Sequence, residues 1–426
     1  MQLKSVSAAL ALFSLLPLAS CAAVLSGSET FVAPEWPQRP DYSADNAAQI
    51  AVQKFPSSVT MHRFAFGNAA NGGRHNEAIM LASKLTRFGQ TLPDAAFTYL
   101  SDHMAPAVLS ELKQRSDINA ATIERSNIAA TIPTDVKLVE AIAMKDDGFY
   151  ASSVVSGGIY FVKDGSASAW SVGEAGNRPS HLGIVRDEGR NILWAATAKV
   201  DQSPINNGHF SGMIGYELNT GQEVRRIAAP EAHNSSPGDI FLSAAGTVYM
   251  ADSGNGAIYA CNEDCSSLSV FLKPGILRSP QGMVLSRNGK ALIVSDYSYG
   301  LARVDLFTRQ VSQITAPAHT ALDGVDGLYA YREYLVTVQT GHRPGIISAL
   351  KVDASGSSVS CAHILEKAHP EWEEPTGGQV VGDGFFYNAG AQWPKFGEAG
   401  AVKEGETLNP TQIRYLDLRF TEAECR

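Results

Sequence analysis

From about residue 123 onward the apolar residues come in short runs separated by polar turns, not at the spacing of a helical face. The stretch from Ser279 to Leu306, SPQGMVLSRNGKALIVSDYSYGLARVDL, shows the pattern best. It reads as three short strands, QGMVLS, ALIVSD and LARVDL. Asn-Gly in RNGK is a strong hairpin signal, and the glycine of YSYG suits a second turn. The same order of small residue, apolar run, turn and second strand recurs from Leu138, His181, Ser236, Gly324 and Pro375. The equivalent positions are Glu140, Leu182, Gly238, Gln281, Asp326 and Gly377, roughly 40 to 56 residues apart. Six units at that period predict an all-β, six-bladed β-propeller over 123–420, because a lone four-stranded unit cannot bury both of its faces. IERSNIAATI near the start and TQIRYLDLRF near the end are expected to pair and close the ring, followed by a tail over 421–426.

Ahead of the repeats the period changes. NEAIMLASKLTRF and DAAFTYLSDHMAPAVLSELKQR have helical spacing, so 76–122 is expected to be a small helical appendage. Asp94 is placed to cap the second helix and Pro106 to kink or divide it. Residues 22–75, rich in Pro, Ala and Ser at their start, are expected to form a tether or irregular segment. At the N-terminus Lys4 precedes an apolar run from Val6 to Leu18 that is too short to span a bilayer, then Leu-Ala-Ser-Cys ending at Cys21. Residues 1–21 resemble a bacterial lipoprotein signal with its lipobox. This implies lipid attachment at Cys21, and export to the periplasm or outer surface.

In an exported chain the four other cysteines suggest two disulfides, for which three pairings are open. The expected ones are Cys261 with Cys265 and Cys361 with Cys425. The net charge of −9 argues against a nucleic-acid partner, and 18 % charged against 44 % hydrophobic residues argues against disorder. No nucleotide-binding glycine loop, serine elbow or zinc-protease motif is present.

Propeller geometry locates the chemistry. The innermost strand of each blade lines a central tunnel and opens at its mouth, and the next strand returns there. Strand starts then contribute Glu140, Asp239, Gln281 and Asp326. Strand ends contribute Ser153, Thr197, Asp252, Asp296, Gln339 and Asn388. Converging carboxylates repel one another, and a hard divalent cation with oxygen ligands would relieve this. The competing role for Asp252 and Asp296, beside SGNG and YSYG, is to stabilise turns.

With these repeats the chain resembles the gluconolactonase/regucalcin family of six-bladed propellers, over about Ile123 to Phe420. The resemblance implies a tunnel metal, Ca²⁺ being the expected ion, held by a first-blade Glu, third- and fourth-blade Asn residues and a fifth-blade Asp that also acts as general base. Glu140 in VEAI and Asp326 in VDGL match the acidic positions. Gln281 in PQGM stands at the fourth-blade position, and Gly238 in PGDI, with no side-chain ligand, at the third. Asp239 adjoins Gly238, but strand alternation should turn it off the axis. SPQGMVLS, DGVDGLYAY, AHPEWEEPTGG and NAGAQW are similar to a bacterial branch of these propellers.

The expected function is a metal-dependent, lactonase-like or esterase-like hydrolase acting on a small molecule at the tunnel mouth. Asp326 would be the base, and His181 or His342 a proton shuttle. Asp252, Asp296, Gln339 and Asn388 would contact substrate. The alternative is a non-catalytic propeller that binds a small molecule or a protein at the same place.

Overall fold

Residues 34–171, 178–204, 210–230, 234–261 and 264–420 are described by a computed structural model. Cys21 with the expected signal segment, and Cys425, lie outside these residues.

Six four-stranded antiparallel sheets make the propeller. Their inner strands are Val139–Lys145 in blade 1, His181–Asp187 in blade 2, Pro237–Leu242 in blade 3, Pro280–Leu285 in blade 4, Gly327–Tyr331 in blade 5 and Gly378–Val381 in blade 6. Blades 1 to 5 each follow the chain outward through four consecutive strands. Blade 6 takes three strands from the C-terminal part and its outermost from the N-terminal side: Asn127–Ile132 pairs antiparallel with Thr411–Asp417. The ring is therefore closed by ladder hydrogen bonds between the two ends of the domain, as the strand signals predicted.

No single central core exists. Apolar layers fill the gaps between neighbouring blades. Ile192, Trp194 and Met213 of blade 2 meet Met250 and Tyr259 of blade 3. Tyr334, Val336 and Ile347 of blade 5 meet Phe385, Tyr387 and Leu416 of blade 6. Trp194, Tyr259, Phe385 and Tyr387 are fully buried, and truncating one to alanine should cost about 3–5 kcal/mol. Near the axis the blades approach too closely for side chains. A Cβ on Gly282 would lie 2.6 Å from the Leu328 nitrogen of the next blade, and one on Gly183 would lie 2.8 Å from the Gly238 oxygen. Both positions need glycine for contact between backbones.

Five helices precede the ring: α1 (Ala47–Lys54), α2 (Val59–Asn71), α3 (His75–Arg87), α4 (Asp94–Ser101) and α5 (Pro106–Ala120). Two of them fall where an irregular segment was expected. Their buried face is made largely of alanines, such as Ala47, Ala48 and Ala51, which pack closely but give a weak apolar pattern in sequence. Pro106 does divide the long pattern, standing at the first position of α5. Asp94 is not the cap: Pro93 holds that position, and Asp94 is the first helical residue. The helices are bolted to the ring through α2. The Asp323 carboxylate, fully buried at the entry to blade 5, accepts Val59 N and Thr60 N at 2.8 Å and Ser58 Oγ at 3.0 Å. An acidic group from the propeller thus satisfies the open N–H groups of the helix. Cys261 and Cys265 form the expected disulfide, with Cα atoms 4.9 Å apart. Cys361 is also disulfide-bonded. Among the described residues no helix is long and apolar enough to cross a membrane.

Candidate active site

Blades 1 to 4 share one irregularity at the start of the inner strand. Val139 pairs with Ser153 and Ile142 with Ala151, so Glu140 and Ala141 occupy a bulge. Leu182 and Gly183, Gly238 and Asp239, and Gln281 and Gly282 sit in the same bulge of their blades. Blade 5 reaches the equivalent point when Asp326 N donates to Val338 O at 2.8 Å, just before Gly327 pairs with Val338. A bulge bends the strand and relaxes strict in-and-out alternation. This corrects the expectation for Asp239, whose charge acts on both Glu140 and Asp326. Gln281 reaches over the missing side chain of its neighbour: a Cβ on Gly238 would lie 3.4 Å from Gln281 Oε1.

Four carboxyl groups thus share the tunnel: Glu140, Asp239, Asp326 and Glu374. Each is half-buried, reachable by water yet deep within the ring. Burial and then the neighbouring Asp326 push the Glu140 carboxyl well above its usual range, while the indole of Trp393 opposes the shift. That indole donates to Glu140 Oε2 at 2.7 Å. Asp326 is pushed up by burial and by the charges of Asp239 and Glu374. Asp239 is pushed up to about 7 by burial. Glu374 is raised by burial against a backbone hydrogen bond from Trp393. Its Oε2 is buried with no partner among the described residues. Tyr329 stands in the same field. Its hydroxyl accepts Gly378 N at 2.6 Å, and its pKa is raised by burial and by Asp239, Asp326 and Glu140.

The mouth is framed by two structures. On the side of blades 4 and 5, Arg63 of α2 donates to Gly341 O at 2.7 Å, beside Tyr297, whose hydroxyl meets Thr340 Oγ1 at 3.1 Å. On the opposite side the segment after Asn388 carries Trp393 and Phe396 onto Val154, Val155, Leu182 and Ala198 of blades 1 and 2. Trp393 therefore joins the wall of the mouth to a tunnel carboxyl.

The donor chemistry suits a hard cation, with carboxylates from Glu140 and Asp326 and an amide from Gln281. Their placement does not. Among the described residues no three acidic, histidine or cysteine side chains come together to hold an ion. One Glu140 oxygen is already taken by Trp393, and Gly238 contributes no side-chain ligand. As arranged, these side chains do not fit a preformed metal centre.

No protein-family model matches the chain, and no curated protein matches it. Several solved structures resemble it. They include a gluconolactonase from Xanthomonas campestris, 14 % identical with a TM-score of 0.46, the match covering 69 % of this chain and 95 % of that one. Regucalcin, a calcium-binding protein from Agrobacterium tumefaciens, is 12 % identical with a TM-score of 0.45, over 69 % of this chain and 96 % of that one. Virginiamycin B lyase from Staphylococcus aureus is 15 % identical with a TM-score of 0.44, over 66 % of this chain and 80 % of that one.

The structure brings Glu140, Asp239 and Asp326 within range of one another's charge, Asp239 against the strand alternation expected of it, and sets Gln281 beside Gly238, but it does not bring in the residues proposed to contact substrate. Asp252 is fully buried and accepts Ser235 Oγ and the N–H groups of Ser236, Gly254 and Asn255. Asp296 is fully buried and accepts N–H groups from Arg278, Ser298 and Tyr299. Gln339 donates to Ala321 O and Asp323 O. Asn388 donates to Val139 O at 2.7 Å, tying blade 6 to blade 1. His181 is also fully buried. Its Nε2 meets the Tyr216 hydroxyl at 2.7 Å, and burial lowers its pKa to about 4. It is a neutral core histidine packed between strands. His342 is bonded to Phe88 O and Pro344 O, away from the carboxyls. Glu374, Trp393, Tyr329 and Tyr297 carried no predicted role. Glu374 lies in AHPEWEEPTGG, just ahead of the sixth unit, and Trp393 in NAGAQW at the end of that unit, and neither residue was given a role.

Proposed function

We propose that the tunnel mouth hydrolyses a small lactone or carboxylic ester by acid–base catalysis between its own carboxyl groups. The observation that carries this reading is the convergence of Glu140, Asp239, Asp326 and Glu374 with raised pKa values. Like charges so placed cannot all ionise together, so near neutral pH the cluster holds both carboxylate and carboxylic acid. Hydrolysis needs that combination. The ionised member, drawn from the Asp239 and Asp326 pair, takes a proton from water as it attacks the carbonyl carbon. Glu140 stays protonated because burial and Asp326 raise its pKa against the opposing effect of the Trp393 indole, and it gives its proton to the departing alkoxide. In a lactone the alcohol stays attached to the product acid, and the proton taken up by the aspartate then passes to Glu140, which returns both carboxyl groups to their starting states.

A panel of lactones and aryl esters, assayed between pH 6 and 9 with EDTA or with added Ca²⁺, tests the proposal. Turnover that survives EDTA, with a bell-shaped pH profile, is the expected result. Loss on EDTA with recovery on Ca²⁺ would restore the metal-dependent form of the expectation. No turnover in either condition would leave a binding module. Export and lipid attachment belong to the same proposal, and a Cys21→Ser form is expected to be released from the membrane fraction.

A further inference from the structure

A second cavity, of about 680 Å³, lies away from the tunnel, between the helices and blade 5. This is within the range of small-molecule sites. Its walls come from the end of α3, the end of α5 and the two outer strands of blade 5, Ile346–Val352 and Val359–Lys367. The lining carries Arg87, Arg125 and Lys367 with His319 and His363, while burial lowers the pKa of His342 to about 4 and keeps it neutral. No aspartate or glutamate is among the described residues that line it, although the chain carries a net charge of −9.

The end of α3 does not reverse that sign. Its last carbonyl groups would present negative charge, but those of Lys84, Leu85 and Thr86 are bonded by Phe88 N, Gln90 N and Gly89 N. Thr86 O and Gln90 O accept the Asn119 side chain, and Phe88 O is bonded to His342 Nε2. Glu366, the acid within the adjoining strand, has its oxygens taken by Arg125 N, Ser126 N and the Tyr387 hydroxyl. The rest of the wall is apolar, with Phe88, Ile118, Ile346, Leu350 and Ile364. Ile118 is 63 % exposed and Ile364 38 % exposed, so apolar surface is open to a ligand beside basic side chains. Arg87 makes no ion pair among the described residues, and His319 is held edge-on to Phe88 at 5.5 Å.

We propose that this cavity binds a small amphipathic anion, an apolar body bearing a single carboxylate. The body lies along Ile118, Leu350 and Ile364, and the head faces Arg87 and His319. The site is separate from the tunnel and does not depend on the hydrolase reading.

Calorimetric titration of the full chain with octanoate tests it, with 1-octanol and octylammonium as the uncharged and cationic probes. Octanoate should saturate one site, with 1-octanol about tenfold weaker and octylammonium silent. The Arg87→Ala/His319→Ala double variant should lose about tenfold in octanoate affinity. Ile364→Glu, which places a carboxylate at an exposed position, should abolish binding while circular dichroism stays native. Asp326→Asn should bind as the unaltered chain does. The proposal is overturned by absence of saturable octanoate binding, by equal affinity for octanoate and 1-octanol, or by loss of binding in Asp326→Asn.

Discussion

Asp252 and Asp326 are the same residue type at neighbouring levels of the same ring, and their surroundings are opposite. Asp252 is fully buried and accepts hydrogen bonds from four donors, Ser235 and Ser236 in the loop that feeds its blade and Gly254 and Asn255 in the turn after its own strand. Asp296 repeats that arrangement one blade on. Asp326 and Asp239 are reachable by water, yet their side chains make no hydrogen bond among the described residues and face other acids. Donors around a carboxylate stabilise its charge and make it part of the scaffold. A buried carboxyl without donors, among like charges, holds its proton more strongly than a free acid, which moves its titration toward the pH range where proton transfer needs it.

Four experiments would break or sharpen this contrast. Asp326→Asn should lower turnover by about 10²- to 10⁴-fold without loss of stability in urea, since a repulsive charge is removed. A drop in stability instead would put Asp326 with the scaffold. Asp252→Ala should do the reverse, costing about 2–4 kcal/mol of unfolding free energy by stranding buried donors. An unchanged urea midpoint would refute its structural role. Stability should also follow pH through the tunnel. The folded Asp239 pKa, about 7, lies above the usual value of 3.8. The folded state therefore binds the proton more tightly, and stability is full below pH 4 and declines as pH rises through 7. A shift of that size corresponds to a decline of a few kcal/mol. Comparison of urea midpoints with Asp239→Asn, which should lack that decline, checks the sign. The smallest effect concerns Trp393→Phe. It removes the indole hydrogen bond that lowers the Glu140 pKa, so the alkaline limb of the pH–rate profile should move to higher pH. A limb that stays in place would show that Glu140 is not the acid.

The repeat was readable because each blade writes the same short message: small residue, apolar run, turn, strand. Glu140, Gln281 and Asp326 could be placed at the tunnel since they occupy one frame of that message. Asp239 was misplaced because alternation assumes an unbroken ladder, and the bulge after Pro237 breaks it. The strand-end residues were harder still. Asp296 and Asp326 look alike in sequence, and only the N–H groups folded around Asp296 tell them apart. Glu374 and Trp393 stand outside the repeated frame, in connections whose paths no local pattern dictates.

The order of apolar and polar residues alone determined a ring of six blades, the strands that close it and three residues of its tunnel, because period-two patterning and turn chemistry are local. The folded ring decided which acids keep their charge, which lose it to one another, and that Trp393 reaches Glu140. Those outcomes depend on donors and charges brought together from distant parts of the chain, and neither burial nor repulsion can be summed until they meet.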